Sequence, residues 1–133
     1  MTTTYFLNVI AGNVFKTKTS PALPTEYYIG VSTTAPNMDG TGVTEPKDSA
    51  YARVKVASLT APENGVVKNA ADIPFADAMQ DWGTCTHFVM YDAKTGGNLL
   101  MAGKLDRNRI VQADSQLRFL ANGLTLTLKN VSE

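Results

Sequence analysis

One cysteine, one histidine and one tryptophan occur among 133 residues. A lone cysteine forms no internal disulfide, so no disulfide framework supports the fold. A lone cysteine and a lone histidine also leave a structural zinc site without its tetrahedral ligand set. Charge excess is missing too, because twelve Lys and Arg balance twelve Asp and Glu. A balanced chain with dispersed charges lacks the basic surface that nucleic-acid binding or electrostatic membrane contact draws on. No apolar run reaches the ~20 residues that span a bilayer. The longest, YFLNVIAGNVF, also lacks the basic start and cleavage site of a signal peptide. Heptads, collagen-like triplets and tandem repeats are absent, so the chain is not expected to build a long fibrous shaft by itself. These absences leave a soluble chain, made in the cytoplasm and forming one domain over 1–133.

What is present is mostly strand-like. The exception is residues 2–15, TTTYFLNVIAGNVF, where Tyr5, Phe6, Val9 and Ile10 recur with helical spacing and Thr2 or Thr3 can cap the start. This segment predicts a short helix, although the same residue types also favour strands. KTKTSPALP (16–24) reads as a connector, EYYIGVST (26–33) as a strand, and 37–50 as a long surface loop. YARVKVASL (51–59) alternates, which assigns Tyr51, Arg53, Lys55 and Ser58 outward and Ala52, Val54 and Val56 inward. ENG (63–65) is a turn, and GVVKNAADIPF (65–75) carries short strands with Pro74 confined to an edge or bulge.

TCTHFVMYD and NLLMAGKL read as two strands around the Gly-Gly turn of AKTGGN (93–98), with RIVQ (109–112) a separate extended piece. QLRFLA and LTLTLK flank Asn122-Gly123, a strong hairpin signal. Leu124, Leu126 and Leu128 then share one face, and Thr125, Thr127 and Lys129 the other. Seven to nine short strands and one helix predict a mainly β fold: an antiparallel β-sandwich or flattened barrel with a short N-terminal helix.

The three rare side chains lie together in WGTCTHFVMYD (82–92). On a regular strand Cys85 and His87 share a face. They would then be a candidate nucleophile pair, but no nucleophile elbow accompanies them. Free cysteine is among the most buried residue types, so Cys85 reads as a small core hydrophobe, His87 as a polar strand residue and Trp82 as an anchor at the strand entrance. MDGTGV lacks the third glycine of a dinucleotide site, and Asn37 with Asp39 lacks the spacing of a calcium loop. Asp72, Asp77 and Asp81 are too dispersed for a carboxylate pair. Asn130-Val-Ser132 matches a glycosylation sequon. Tyr5, Tyr27, Tyr28, Tyr51 and Tyr91 fit either a glycan platform or core caps. No metal and no cofactor is expected.

The succession YYIGVSTTAPNMDGTGVTEP, YARVKV and ADIPFADAMQDWGTCTHFVMYDAKTGGNLLMAGKL resembles a family of small tailed-bacteriophage structural proteins commonly labelled "phage tail fibre protein". The resemblance covers roughly residues 4–129 and rests on Tyr28 to Pro36, Asp39 to Pro46, Tyr51 to Arg53, Trp82 to Phe88 and Tyr91 to Leu100. The N-terminal segment departs from the family pattern, being apolar and Thr-rich where the family has a more charged helix. The resemblance makes Trp82, Gly83, Thr86, His87 and Phe88 the recurring pieces of a structural corner, with Cys85 at a variable position.

The function implied is that of a non-enzymatic virion protein. It would be a homo-oligomeric surface module, either a capsid decoration or a tail or baseplate appendage, contacting other virion proteins through apolar and strand-edge surfaces. Tyr5, Phe6, Val9 and Ile10, with Asn37 and Asp39 of the 37–50 loop, are the candidate contact surface. A carbohydrate-binding module directed at host glycans is the alternative, and a Cys85-dependent hydrolase the third reading. No nucleic-acid or membrane partner is expected.

Overall fold

A computed structural model describes residues 1–16 and 21–128. One helix, α1 (Thr4–Val14), precedes eight strands: β1 (Tyr28–Ser32), β2 (Val54–Lys55), β3 (Val66–Lys68), β4 (Ile73–Pro74), β5 (Gly83–Tyr91), β6 (Leu99–Val111), β7 (Arg118–Phe119) and β8 (Thr125–Thr127). Every strand pair is antiparallel. β2-β1-β5-β6 form a four-stranded sheet, while β3-β8 and β4-β7 are separate two-stranded ribbons. The mainly β class with one short N-terminal helix is as expected. The second layer differs from a regular sandwich in being two ribbons rather than one sheet.

The ribbons supply Ile73, Phe119 and Leu126, and the loops beside them Phe75, Leu117 and Leu124, to a core completed by Ile29, Val31, Phe88 and Met90 of the sheet. Phe6 and Val9 of α1 enter the same core. A smaller cluster of Val89, Tyr91, Leu99 and Ala102 lies under Val43 of the long loop. β5 thus buries residues on both faces, as a central strand does.

Thr3 is the helix cap. Its buried hydroxyl accepts from the Phe6 N–H at 3.3 Å and donates to the Leu99 carbonyl at 2.7 Å. Thr2 bridges Met101, and the Ala102 N–H donates to the Met1 carbonyl, so the segment ahead of the helix covers part of the β6 edge.

Three local expectations are corrected. First, β6 is one 13-residue strand, so NLLMAGKL and RIVQ are not separate pieces. Between Cys85↔Arg109 and His87↔Lys104 its register against β5 slips, and Asp106 through Ile110 are all exposed there. Second, Tyr51 and Arg53 point inward and Ala52 outward. Buried Arg53 is tolerated because each of its three side-chain nitrogens donates to a nearby acceptor.

Third, Asn122-Gly123 does not join two paired strands. β7 pairs with β4 and β8 with β3. A two-residue type I′ hairpin needs φ > 0 at both central positions. Here the turn closes from the Gly123 N–H to the Leu120 carbonyl, which puts Asn122 (φ 65) third and Gly123 fourth. The type I′ geometry occurs instead at Asn64 (φ 54) and Gly65 (φ 76), where Glu63 and Val66 exchange both backbone hydrogen bonds. Leu124 and Leu126 are buried as expected, whereas Leu128 is largely exposed. Lys129 and the Asn130 sequon lie outside the described residues.

Candidate functional site

The predicted corner is assembled by the chain entering β5. Gly83 (φ 82) takes a left-handed conformation and lets the chain turn directly from Trp82 into the strand. The Trp82 indole is buried edge-on against Tyr51 (centroids 5.2 Å apart) and Phe75 (6.0 Å). Its N–H donates to Asp48 Oδ2 at 2.9 Å. Asp48 Oδ2 also accepts from the backbone N–H groups of Met79 (2.7 Å) and Gln80 (3.1 Å), and Oδ1 from Ala50 (3.1 Å). Burial opposes ionisation of this carboxyl, but the Trp82 indole and the backbone donors outweigh it and hold its pKa at about 2. Asp48 ties the long loop to the loop before β5.

The register slip decides the fate of the Cys85–His87 pair. Cys85 is fully buried in the same core as Phe88 and Met90, and burial pushes its thiol up to about 11. His87 alternates with Phe88 and stays half-buried, so the two do not share a face. The His87 pKa is lowered by burial and then by the Lys104 charge beside it. Its Nδ1 lies 2.8 Å from Thr86 Oγ1. The Phe88 ring packs over Gly103, where a Cβ would stand 2.5 Å from Cε1. The structure therefore does not bring Cys85 and His87 together on one face of the strand. Among the described residues no group of three or more His, Cys, Asp or Glu could hold a metal ion, and no helix is long and apolar enough to cross a membrane.

A second knot was not visible in the sequence pattern. The Arg53 guanidinium makes a bidentate pair with Glu45, Nε to Oε1 at 2.9 Å and Nη2 to Oε2 at 2.8 Å. Its Nη1 donates to the Ala93 and Gly96 carbonyls at 2.9 and 2.7 Å. The guanidinium carbon sits 3.5 Å from the centroid of the Tyr91 ring. Tyr51 Oη donates to Glu45 Oε1 at 2.6 Å and accepts from the Val31 N–H. The T-E-P and Y-A-R pieces are therefore joined, and Arg53 of the second also holds the turn at Ala93 and Gly96.

The candidate contact surface divides. Phe6 and Val9 are taken up in the chain's own core, and Tyr5 and Ile10 pack beside it half-buried. The helix face left to solvent is a different one: Leu7, Val14 and Phe15 are 51, 63 and 78% exposed. α1 carries no charged residue, and its solvent face mixes Leu7, Ala11 and Val14 with Thr4 and Asn8. Asn37 and Asp39 serve their own loop. Asp39 Oδ1 accepts from the Thr41 N–H and hydroxyl at 3.0 and 2.6 Å, and Asn37 Nδ2 donates to Thr41 Oγ1 at 3.1 Å. None of the five tyrosines is fully exposed, and Tyr51 and Tyr91 belong to the Arg53 knot, which favours core caps over a stacking platform.

One charged cleft was missed, because its residues are scattered in sequence. Lys104, Arg107 and Arg109 of β6, with Asp106 among them, edge a cleft of about 150 Å³ whose far side is Gly123 to Thr125. Among the described residues none of these three cations has a carboxylate within ion-pair distance.

Comparison with known families gives a match over residues 1–127 to the family described as podophage GP4 fiber I protein gp80. Comparison with curated proteins gives no match.

Proposed function

Because the chain belongs to the podophage GP4 fiber I family, we propose that it is a non-enzymatic module carried on the phage particle as an appendage of the tail. It works by docking apolar surface and strand edges against other virion proteins. Over 1–133 it acts as one such module, made in the host cytoplasm and then built into the virion. The observation that carries this reading is the family match across nearly the whole chain. The corner and the Arg53 knot support it, since both spend their chemistry on holding loops in place. Gold-labelled antibody against the chain, applied to intact particles, tests the location. Label at the tail end supports the proposal. Label spread over the head would replace it with capsid decoration.

Host glycan binding is a second reading, and the cleft at Lys104, Arg107 and Arg109 favours it, because a cluster of cations suits a sugar bearing carboxylate or phosphate. Titration with anionic and neutral oligosaccharides tests this reading. Salt-sensitive binding of the anionic set, lost in Arg107→Ala with Arg109→Ala, supports it. Flat titrations remove it.

A further inference from the structure

The two Asn-Gly pairs of the chain are held in opposite ways. An asparagine followed by glycine carries a built-in reaction. The glycine nitrogen attacks the asparagine side-chain carbonyl carbon, and a residue without a Cβ does not hinder the approach. The attack needs that nitrogen free of a hydrogen-bond acceptor and its peptide able to swing.

At Asn122-Gly123 neither condition holds. Four consecutive backbone N–H groups are engaged there. Ala121 donates to Asp72 Oδ1 at 2.9 Å, Asn122 to the Asn69 carbonyl at 2.7 Å, Gly123 to the Leu120 carbonyl at 2.8 Å and Leu124 to Asn69 Oδ1 at 2.8 Å. Asn69, which anchors two of them, is itself buried. At Asn64-Gly65 the hairpin is closed from outside the pair. Glu63 and Val66 exchange their backbone bonds, and the Asn64 and Gly65 N–H groups have no acceptor among the described residues. Both residues are exposed to water.

We propose that Asn64 is a site of spontaneous chemical modification in the folded chain, and that the fold protects Asn122 from the same reaction. The Gly65 nitrogen bonds to Asn64 Cγ, the Cγ–Nδ2 bond breaks, and Nδ2 leaves as ammonia with the proton from Gly65. Water then opens one of the two C–N bonds of the cyclic imide. Breaking the newly formed bond leaves aspartate. Breaking the original main-chain bond leaves isoaspartate, whose backbone runs through Cβ and Cγ and is longer by a carbon atom. The turn has no room for that length. Gly65 lies against β8, where a Cβ would stand 2.5 Å from the Leu128 carbonyl oxygen, and its own carbonyl accepts from the Leu128 N–H at 2.9 Å. Isoaspartate therefore disturbs the adjoining Val66↔Thr127 pairing of β3 with β8. This inference goes beyond the proposed function and does not depend on it.

Peptide mapping by mass spectrometry tests it, on the full chain incubated at mildly alkaline pH with and without urea. Trypsin puts the two sites in separate peptides, ending at Lys68 and Lys129. In the native chain Asn64 is expected to convert about tenfold faster than Asn122, a ratio equal to ~1.4 kcal/mol and within reach of one hydrogen bond. In urea the two rates are expected to converge, because each asparagine is followed by glycine. Native rates that are equal, a faster Asn122, or an Asn64 that converts only in urea would each overturn the proposal. The isoaspartate form, separated by chromatography, is expected to melt below an Asn64→Asp variant, which carries the same charge on a backbone of normal length. Equal melting would overturn the link to the β3–β8 register.

Discussion

Asn69 holds the turn that redirects the chain between the two ribbons, and its replacement by Ala gives the sharpest test of the packing argument. The residue is 2% exposed. Its Oδ1 accepts from the buried Leu124 N–H at 2.8 Å, and its Nδ2 donates to the Leu120 and Ala71 carbonyls at 2.8 and 2.9 Å. Asn69→Ala strands the Leu124 N–H, at about 1–3 kcal/mol, and removes two partly buried bonds at about 0.5–1.5 kcal/mol each. The expected loss is about 4 kcal/mol. For a chain of this length that lowers Tm by roughly 15 °C. It is a large share of the ~5–15 kcal/mol typical of native proteins. Asn69→Asp keeps the acceptor for Leu124 but sets a carboxylate against two carbonyls. Its folded-state pKa is therefore raised, and its stability falls as pH rises through that value. Urea unfolding followed by Trp82 fluorescence measures both variants. A loss below about 1 kcal/mol for Asn69→Ala, with unchanged m, would refute the reasoning.

Other predictions concern the two knots and the thiol. Arg53→Met leaves Glu45 against the Tyr51 hydroxyl without its cation and is expected to destabilise by about 3 kcal/mol. Adding Glu45→Met is expected to recover part of that loss in a double-mutant cycle, and additive losses would contradict the pairing. The Asp48 carboxyl is held at about 2, below its ordinary 3.8, so its contribution is complete above that ordinary value and is lost as pH falls toward 2. Acid melts of Asp48→Asn are expected to show a flatter decline over that window, with Glu26 and Asp39, also lowered, supplying what slope remains. Cys85 is expected to stay unmodified by a thiol reagent in native buffer and to react fully in urea, because burial both hides the thiol and keeps it protonated. Fast labelling of the native protein would contradict that placement.

What the sequence could carry was local. Helical spacing from Tyr5 to Ile10, with a threonine ahead of it, was enough to place α1 and its cap. The strand and turn chemistry of TCTHFVMYD and AKTGGN placed β5 and the start of β6. Trp82 read as an anchor at a strand entrance, and it was the family resemblance that joined it with Gly83 into a corner. What stayed hidden depends on partners far along the chain. Arg53 reads as solvated until Glu45, Tyr91 and the Ala93 and Gly96 carbonyls surround it. Asp48 looks like a loop charge until the Met79, Gln80 and Trp82 donors converge on it. The two Asn-Gly pairs show the same limit. Asn64-Gly65 makes the type I′ turn its chemistry favours, whereas Asn69 and Asp72 seize the backbone around Asn122-Gly123 and shift its frame by one residue. The helix stripe was found, but that it meets the chain's own core is set by the sheet beneath it.

Membership of a phage fibre family implies that this chain is a component of the phage particle. Quantitative mass spectrometry of purified virions, measured against the major capsid protein, tests it most directly. A tail appendage is expected at a reproducible small ratio that matches the other tail proteins and survives density-gradient banding. Absence of the chain from banded particles, with abundant chain in the infected-cell lysate, would contradict it.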